Sequence, residues 1–360
     1  MGDGPACHGV SHSSERPAVV DTARSASWAR GGVPTIAGLV TTYGRSAFLP
    51  GLVEALEGQD LDADAFELVL VDNGSNDDTW PALAALVTAS PARALAIRLD
   101  RNAGPAPGRN AGAASVRAPL IAITDDDCLP TPGWLRHVRL AFAGGADVVQ
   151  GAVHADPDGI DSMGPWDHTI WVTNPTPFFE TCNVSYRRSA FDRAGGFDED
   201  DPLLHPPSGR AFGEDACLAW EVQRTGGSAA FAPRALVYHR CIPGTYERWL
   251  ADQRQLERFP GLARRSPLVA RWLYLGVFLD RRSATFDLAL AGVSMAALTR
   301  RRWPLLAVWP WLRSRWAYSR YRAGGSRRAA LPLLLRLTRS DLLAFGAMAR
   351  GSVRYRRLLI

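Results

Sequence analysis

The sequence predicts an α/β fold, with a mixed, mostly parallel sheet flanked by helices and a basic helical extension after it. From residue 36 to residue 124, short apolar runs alternate with stretches of helical spacing, the pattern of parallel strands joined by right-handed crossovers. Acidic residues directly follow two of the runs, at Asp72 and at 125–127. Ligands bind beyond the carboxyl ends of such strands, so we expect a functional site at that edge.

The elements follow from apolar runs bounded by turn residues and from the spacing of apolar positions. Helix ends are marked by capping residues and glycine. A loop over 198–213, rich in proline and glycine, is long enough for a binding or lid segment. Strands are predicted at 36–42, 66–72, 94–99, 120–124, 148–153, within 180–188 and at 235–239, and helices at 48–56, 79–87, 108–115 and 215–225.

Composition excludes several classes of enzyme. The 360 residues contain no lysine, since all 41 basic side chains are arginine. P-loop nucleotide hydrolysis, pyridoxal chemistry and Schiff-base catalysis each need a lysine. The five cysteines are scattered without CxxC spacing, which predicts neither a disulfide framework nor a zinc site and favours a reducing compartment.

Charge divides the chain into an acidic body and a basic end. Residues 1–239 hold 17 Arg against 30 Asp and Glu, and residues 240–360 hold 24 Arg against 6. Such an asymmetry indicates two functional regions. We expect a disordered leader at 1–32, a catalytic domain at 33–240 and a basic helical region at 241–360.

Three consecutive carboxylates, Asp125, Asp126 and Asp127, end the predicted strand at 120–124. Carboxylates this close raise each other's pKa unless a positive charge neutralises them. A hard divalent cation with oxygen ligands, such as Mg²⁺ or Mn²⁺, is the usual partner and often shares its shell with substrate phosphates. A solvated acidic turn is the alternative.

Four further groups of residues are candidates for binding or catalysis, and most of them also have a purely structural interpretation. Asp72 stands at a strand tip before a capped helix, where it can accept from a base or a ribose. Arg109 follows a Gly/Pro loop at a helix start, which suits an anionic nucleotide, although the glycines also fit a plain turn. Glu214 and Asp215 lie at the start of a helix, where they supply either a general base or ordinary helix caps. His239 ends a strand, as a structural histidine or a metal ligand beside Asp127.

These motifs together resemble those of family 2 glycosyltransferases with the GT-A fold. The resemblance runs from about residue 36 to residue 239 and rests on five segments in the family's order. Each segment alone is weak, and the ordered set is specific. The segments are 40–45 (VTTYGR), 71–75 (VDNGS), 102–110 (NAGPAPGRN), 125–127 (DDD) and 213–215 (GED).

The resemblance implies a role for each matching residue. Asp215 matches the catalytic base, with Glu214 as its acceptor-orienting neighbour. Asp127 would coordinate Mg²⁺ or Mn²⁺, joined by His239. The remaining roles are nucleotide binding by Thr41, Thr42, Asp72, Arg109 and Asp125 (Asp125 also at the metal), and lining of the sugar and acceptor site by Asn183.

The implied activity is inverting transfer of a sugar from a UDP-, GDP- or dTDP-sugar to an acceptor hydroxyl, on a glycan or lipid-linked precursor. A sugar-phosphate nucleotidylyltransferase and a non-catalytic sugar- or lipid-binding scaffold are the alternatives. The first needs lysines that the chain lacks, and the intact Asp127, Asp215 and His239 argue against the second.

The basic region at 241–360 interleaves tryptophans with arginines, and its longest uncharged run has 12 residues, at 288–299. Spanning a bilayer takes roughly 20 apolar residues, so we expect a helical region that packs on the catalytic domain, lies on an anionic membrane, or does both. No nucleic-acid module accompanies the arginines, so no nucleic-acid partner is expected. The expected location is cytoplasmic, at the inner face of the cell membrane.

Overall fold

The structure, a computed structural model, describes residues 16–205 and 211–359, which form two compact units. The sheet unit comprises the described residues of 16–161 and 169–241, and the helical unit comprises 162–168 and 242–359. The predicted boundary lies at 240/241, and nothing in the sequence indicated that residues 162–168 belong with the C-terminal helices.

The sheet unit is built on one nine-stranded sheet within the described residues, with the strand order β1-β4-β3-β2-β5-β8-β7-β9-β6. Six of these strands run in the same direction, while β1, β6 and β8 run against them. The predicted mixed, mostly parallel α/β architecture is therefore confirmed. The strands are β1 (Val19–Arg24), β2 (Ile36–Thr42), β3 (Phe66–Asp72), β4 (Ala94–Leu99), β5 (Leu120–Asp125), β6 (Cys128–Pro130), β7 (Val148–Ala155), β8 (Val184–Arg187) and β9 (Ala229–His239).

Helices flank this sheet and make up most of the helical unit. In the sheet unit they are α1 (Leu49–Glu57), α2 (Thr79–Ala89), α3 (Pro105–Ser115), α4 (Trp134–Ala143), α5 (Pro157–Ile160), α6 (Arg188–Arg193) and α7 (Glu214–Arg224). In the helical unit they are α8 (Tyr246–Gln255), α9 (Phe259–Arg265), α10 (Pro267–Trp272), α11 (Arg281–Thr299), α12 (Trp309–Arg322) and α13 (Arg327–Tyr355). Short 3₁₀ turns lie at Ser46–Phe48, Thr181–Asn183, Leu256–Arg258 and Trp303–Val308.

The expectation of a disordered leader is wrong for residues 16–32. Within them β1 pairs antiparallel with β4 and closes that edge of the sheet. The side chains of β1 are mostly exposed, so the strand lacks the apolar run by which strands are recognised, and backbone pairing holds it in place. The first part of the predicted leader, 1–15, lies outside the described residues.

The central strands are buried on both faces, which explains why their apolar runs predicted them. Every residue of β3 is buried, and β2 is buried at all but one position. Helix α3 packs closely on β2 and β3, since a Cβ added to Gly112 would lie 2.4 Å from Leu39 Cδ1 and 2.8 Å from Val71 Cγ2. A larger residue at 112 would push this helix off the sheet.

The helical unit has its own buried polar centre. Asp341 of α13 accepts from Trp311 Nε1 at 2.9 Å and from Arg315 Nε at 2.7 Å, and all three side chains are buried. A paired buried carboxylate fixes how α12 packs on α13. Among the described helices, none combines the length and the apolar character needed to cross a membrane.

Candidate active site

A cleft of about 380 Å³ lies beyond the carboxyl ends of β2, β3 and β5. This is the edge where the sequence places its candidate residues, because the tips of parallel strands meet there. The cleft contains five of the predicted site residues: Thr41, Thr42, Arg109, Asp125 and Asp127. Its complete lining is Thr41, Thr42, Tyr43, Arg45, Asn73, Asn102, Pro105, Arg109, Asp125, Asp126 and Asp127.

The turn between β5 and β6 holds Asp126 and Asp127 together over an arginine. Arg45 donates through one guanidinium nitrogen to Asp126 Oδ1 at 2.5 Å and to Asp127 Oδ2 at 2.7 Å. Thr42 Oγ1 donates to the other oxygen of Asp126 at 2.7 Å. Burial nevertheless raises the pKa of Asp126 to about 6, although Arg45 and Thr42 act to lower it.

Antiparallel pairing of β6 with β9 places His239 beside Asp127. In this pair Cys128 lies opposite His239, and Asp127 Oδ1 is 3.6 Å from His239 Nε2. His239 Nδ1 lies 2.8 Å from the carbonyl oxygen of Arg240. A carbonyl oxygen only accepts, so Nδ1 donates in this contact, and Nε2 faces Asp127.

These residues fit a divalent cation. Asp127, Cys128 and His239 each offer one ligand atom, and the three atoms lie within 4.8 Å of one another. Burial, and then the charges of Asp127 and Asp125, raise the pKa of the Cys128 thiol well above its usual value. A hard cation such as Mg²⁺ or Mn²⁺ favours the carboxylate oxygen of Asp127 over a thiol sulfur, with His239 as the second candidate ligand. Asp125, also expected at the metal, is outside this group.

Arg109 connects the strand tips to the start of α7. Its guanidinium donates to Asp125 Oδ1 at 3.0 Å, to Glu214 Oε1 at 3.2 Å and to Thr181 Oγ1 at 2.8 Å. The side chain is buried and lies over the ring of Phe197 at 5.5 Å. Since Arg109 already has two acidic partners, it positions these groups as well as lining the cleft.

Asp215 lies in the first turn of α7, after Gly213, whose φ of +80° makes the sharp entry to the helix. Its Oδ1 accepts from the backbone N–H of Ala216 at 2.8 Å. Burial raises the pKa of Asp215 well above the usual value, and the negative charges of Glu214 and Glu180 raise it further. A carboxylate with a raised pKa at the mouth of a helix is a better proton acceptor than an ordinary aspartate.

Asp72 lies at the tip of β3, as expected, and its carboxylate is bonded within the protein. Its side chain is fully buried, its Oδ1 accepts from the backbone N–H of Ser75 at 3.1 Å, and its Oδ2 lies 3.5 Å from Arg98 Nε. The carboxylate holds the turn after β3 and is absent from the cleft lining. That Asp72 contacts the nucleotide stays a prediction, and its neighbour Asn73 lines the cleft wall.

Asn73 is a cleft residue that the sequence analysis missed. Its Nδ2 donates to Asn102 Oδ1 at 3.0 Å and to the carbonyl of Gly104 at 2.8 Å. Within the described residues its buried Oδ1 has no hydrogen-bond partner. A buried acceptor without a partner is costly, so this oxygen is suited to an N–H donor of a bound ligand.

Asn183, expected at the sugar and acceptor site, is a core residue. Its Nδ2 donates to the carbonyls of Ala152 and Ala235, both at 2.8 Å, and its Oδ1 accepts from Trp134 Nε1 at 2.9 Å. The residue is 1% exposed. Because these bonds use the amide's donors and its oxygen and no surface reaches solvent, the prediction is wrong, and Asn183 joins the strands to α4 instead.

Two more cleft residues, Arg45 and Asp126, were within recognised motifs but received no role. Arg45 ends the 40–45 segment and Asp126 is the middle acid of the triplet. The signal that could have identified them is charge, because two adjacent carboxylates need a nearby cation.

Curated relatives share this part of the chain. Validoxylamine A glucosyltransferase of Streptomyces hygroscopicus subsp. jinggangensis is 30% identical over 207 residues, 47% of this chain and 48% of that protein. The succinoglycan biosynthesis protein ExoO of Rhizobium meliloti is 29% identical over 220 residues, covering 58% and 61% of the two chains. This chain thus spans about half the length of the first of these relatives.

The fold also has a counterpart among solved structures. The mannosyltransferase PcManGT of Pyrobaculum calidifontis, solved with GDP-Man and Mn²⁺, superposes with a TM-score of 0.56 at 18% identity, over 89% of this chain and 87% of that one. The likeness defines the class: this is a GT-A fold with a helical C-terminal region. Residues 39–197 match glycosyl transferase family 2.

Proposed function

We propose that this protein transfers a sugar from a nucleotide-diphosphate donor to an acceptor hydroxyl, with inversion at the anomeric carbon. Asp215 is the general base, and Asp127 with His239 holds a divalent cation, Mg²⁺ or Mn²⁺. The match of residues 39–197 to glycosyl transferase family 2 supports the reaction class. The acceptor class that we propose is a glycan or a lipid-linked precursor.

One observation carries the proposal: Arg109 bonds both Asp125, at the acidic edge, and Glu214, next to Asp215. The donor cleft is therefore hydrogen-bonded to the residue that precedes the proposed base in the first turn of α7. Transfer requires this arrangement, because the donor and the acceptor hydroxyl must meet in a fixed geometry.

The nucleotide lies in the cleft lined by Thr41, Thr42, Asn73 and Arg109. Asn73 Oδ1 accepts from a base N–H, and the exposed ring of Tyr43 is available to stack on the base. Uracil, thymine and guanine each carry a ring N–H that can make this bond. The cleft chemistry is thus compatible with UDP-, dTDP- and GDP-sugars.

Asp215 accepts the proton of the acceptor hydroxyl while the hydroxyl oxygen attacks the anomeric carbon. The bond from that carbon to the diphosphate oxygen breaks on the opposite face, so the configuration inverts. Glu214 is held by Arg109 and fixes the first turn of α7 that carries the base. Asp127 and His239 would hold a divalent cation there, which would supply positive charge to balance the leaving diphosphate.

The helical unit supplies a proposed membrane contact. Its tryptophan edge, residues 298–309, exposes Leu298, Trp303, Leu306 and Trp309 beside three exposed arginines at 300–302. Tryptophan and leucine next to arginine suit the interface of an anionic bilayer. We therefore place the protein at the membrane surface, where lipid-linked acceptors reside.

The test is donor binding and hydrolysis by the full chain. UDP-, GDP- and dTDP-sugars are titrated by calorimetry with Mn²⁺, and slow release of the nucleoside diphosphate is measured without acceptor. We expect at least one donor to bind and be hydrolysed, and Asp127→Ala to remove the Mn²⁺-dependent part of binding. Failure of every donor to bind, or an Asp127→Ala titration identical to that of the wild type, would refute the proposal.

A further inference from the structure

Arg45 occupies the same carboxylates that the proposed cation site uses. It bridges Asp126 Oδ1 and Asp127 Oδ2, while the second oxygen of Asp127 faces His239. Both oxygens of Asp127 are thus directed to positive or ligating groups on opposite sides. A divalent cation at Asp127 and the guanidinium of Arg45 compete for one negative charge.

Arg45 competes with the cation at every working pH. A guanidinium is protonated at all working pH values, so Arg45 leaves the acid pair only by movement or by displacement. Its bonds are charge-assisted, a class roughly twice as strong as neutral hydrogen bonds. A cation entering alone has to overcome both these bonds and the repulsion of a second positive charge nearby.

Hydrogen bonds to neighbouring side chains hold the backbone around Arg45, while its guanidinium lies in the cleft wall. Gly44 N donates to Ser75 Oγ and Arg45 N donates to Thr79 Oγ1, each at 3.0 Å. The guanidinium lies over the ring of Phe48 at 5.7 Å, and 36% of the side chain is exposed in the cleft wall. Arg45 can therefore contact an anion in the cleft without any rearrangement of the loop.

We propose that Arg45 is a resident counter-cation of the Asp126–Asp127 pair, which competes with the divalent cation for Asp127 and makes cation binding depend on the donor's diphosphate. A diphosphate brings negative charge that both Arg45 and the divalent cation can share, so it relieves the competition. The inference rests on the proposed function, since it takes Asp127 as a cation ligand. It adds an order to that function, in which the cation binds tightly only together with the nucleotide.

The test is calorimetric titration of Mn²⁺ into the full-length protein, without nucleotide and with saturating UDP or GDP. We expect Arg45→Gln to bind Mn²⁺ alone about tenfold tighter than the wild type, within the usual range for coupled sites. The gain in Mn²⁺ affinity on adding the nucleotide should be smaller in this variant. Arg45→Lys keeps the charge and should stay close to the wild type.

The matched control is Arg240→Gln. Arg240 lies over the same Phe48 ring, at 5.0 Å, but reaches Asp127 only through its backbone N–H. Its loss removes one positive charge without freeing the acid pair, so Mn²⁺ affinity should be nearly unchanged. If Arg45→Gln does not fold, as judged by circular dichroism, Arg45→Met replaces it, because it keeps the apolar stem on Phe48.

Two outcomes separate the inference from the proposed function. Equal or weaker Mn²⁺ binding by Arg45→Gln or Arg45→Met, in a protein whose wild type binds Mn²⁺, overturns the competition alone. Absence of Mn²⁺ binding in every variant, with and without nucleotide, overturns the cation site of the proposed function and the competition with it.

Discussion

Arg109 lies within hydrogen-bond distance of Glu214, 105 residues further along the chain, with 3.2 Å between Nη1 and Oε1. The contact joins α3, pressed on the sheet, to the first turn of α7, where Asp215 follows. It makes the position of the proposed base dependent on the packing of α3 on the sheet. The first predictions test this coupled site.

Asp215→Asn should lower turnover by roughly 10²–10⁴ while leaving donor affinity nearly unchanged. The amide keeps the shape of the side chain but accepts no proton. Steady-state transfer rates and donor calorimetry measure the two effects separately. Asp62→Asn, at an exposed position outside the cleft, is the matched control and should behave as the wild type. Wild-type turnover by Asp215→Asn would exclude this residue as the base.

The value of kcat/KM should also fall at low pH, and the fall should begin at a higher pH than for a base with the pKa of an ordinary aspartate. The base must be deprotonated, and its pKa is raised by burial and by the charges of Glu214 and Glu180. Lowering the pH through that raised pKa protonates Asp215 and stops proton acceptance. The measurement is kcat/KM against pH.

The variant Glu180→Gln tests in which direction the acid limb of the pH profile moves. Removing one negative charge near Asp215 lowers its pKa, so the acid limb should move to lower pH. The amide can still pair with Gln150 and Thr176, which contact Glu180 in the structure. A limb that stays in place or moves to higher pH would show that another group controls the rate.

Asn183→Ala separates a core role from a substrate role. The substitution strips partners from two strand carbonyls and from Trp134 Nε1, and each buried polar group left unpaired costs about 1–3 kcal/mol. We expect the free energy of unfolding in urea to fall by at least one such step, with KM values for donor and acceptor nearly unchanged. Asn174→Ala, at an exposed position, is the control. Unaltered stability with a raised KM would restore the sugar-binding role.

The tryptophan edge of the helical unit should bind vesicles that contain anionic lipid. Co-sedimentation at low salt measures this, with neutral phosphatidylcholine vesicles for comparison. Trp303→Ser combined with Trp309→Ser should reduce binding at least several-fold, because each indole contributes apolar area at the interface. Trp272→Ser, at another half-exposed position of the same unit, should bind as the wild type does. Equal binding to neutral and anionic vesicles, or no binding at low salt, would contradict the proposal.

Much of the sheet could be predicted because strands that are buried on both faces are visible in the sequence as continuous apolar runs. The bounds of β2, β3 and β4 agree with the predicted strands. Strands β1 and β6 were not predicted, because the side chains of β1 are mostly exposed and β6 has only three residues. Helix α3 begins at Pro105, three residues before the predicted start. Its first turn was not predicted because the glycines and prolines there are typical of a loop.

For the site, strand-end position predicted which residues reach the edge but not which of them face the cleft. Asp72 and Asn73 are adjacent, yet the amide lines the cavity and the carboxylate supports the turn beneath it. Asn183 is a polar residue whose burial depends on α4, a helix that the sequence analysis did not identify. Such outcomes depend on tertiary packing between distant segments, which local patterns do not encode.

The pairing of β1 with β4 has a practical meaning for anyone who shortens this protein. A chain begun at residue 33, where the sequence analysis set the start of the catalytic domain, would leave the hydrogen-bonding groups of β4 open along one side. An unprotected outer strand recruits strands from neighbouring molecules. Trimming the first segment would therefore move the open edge of the sheet from β1, which has mostly exposed side chains and an irregular register, to the buried strand β4, and we expect the shortened protein to aggregate more readily although every cleft residue would still be present.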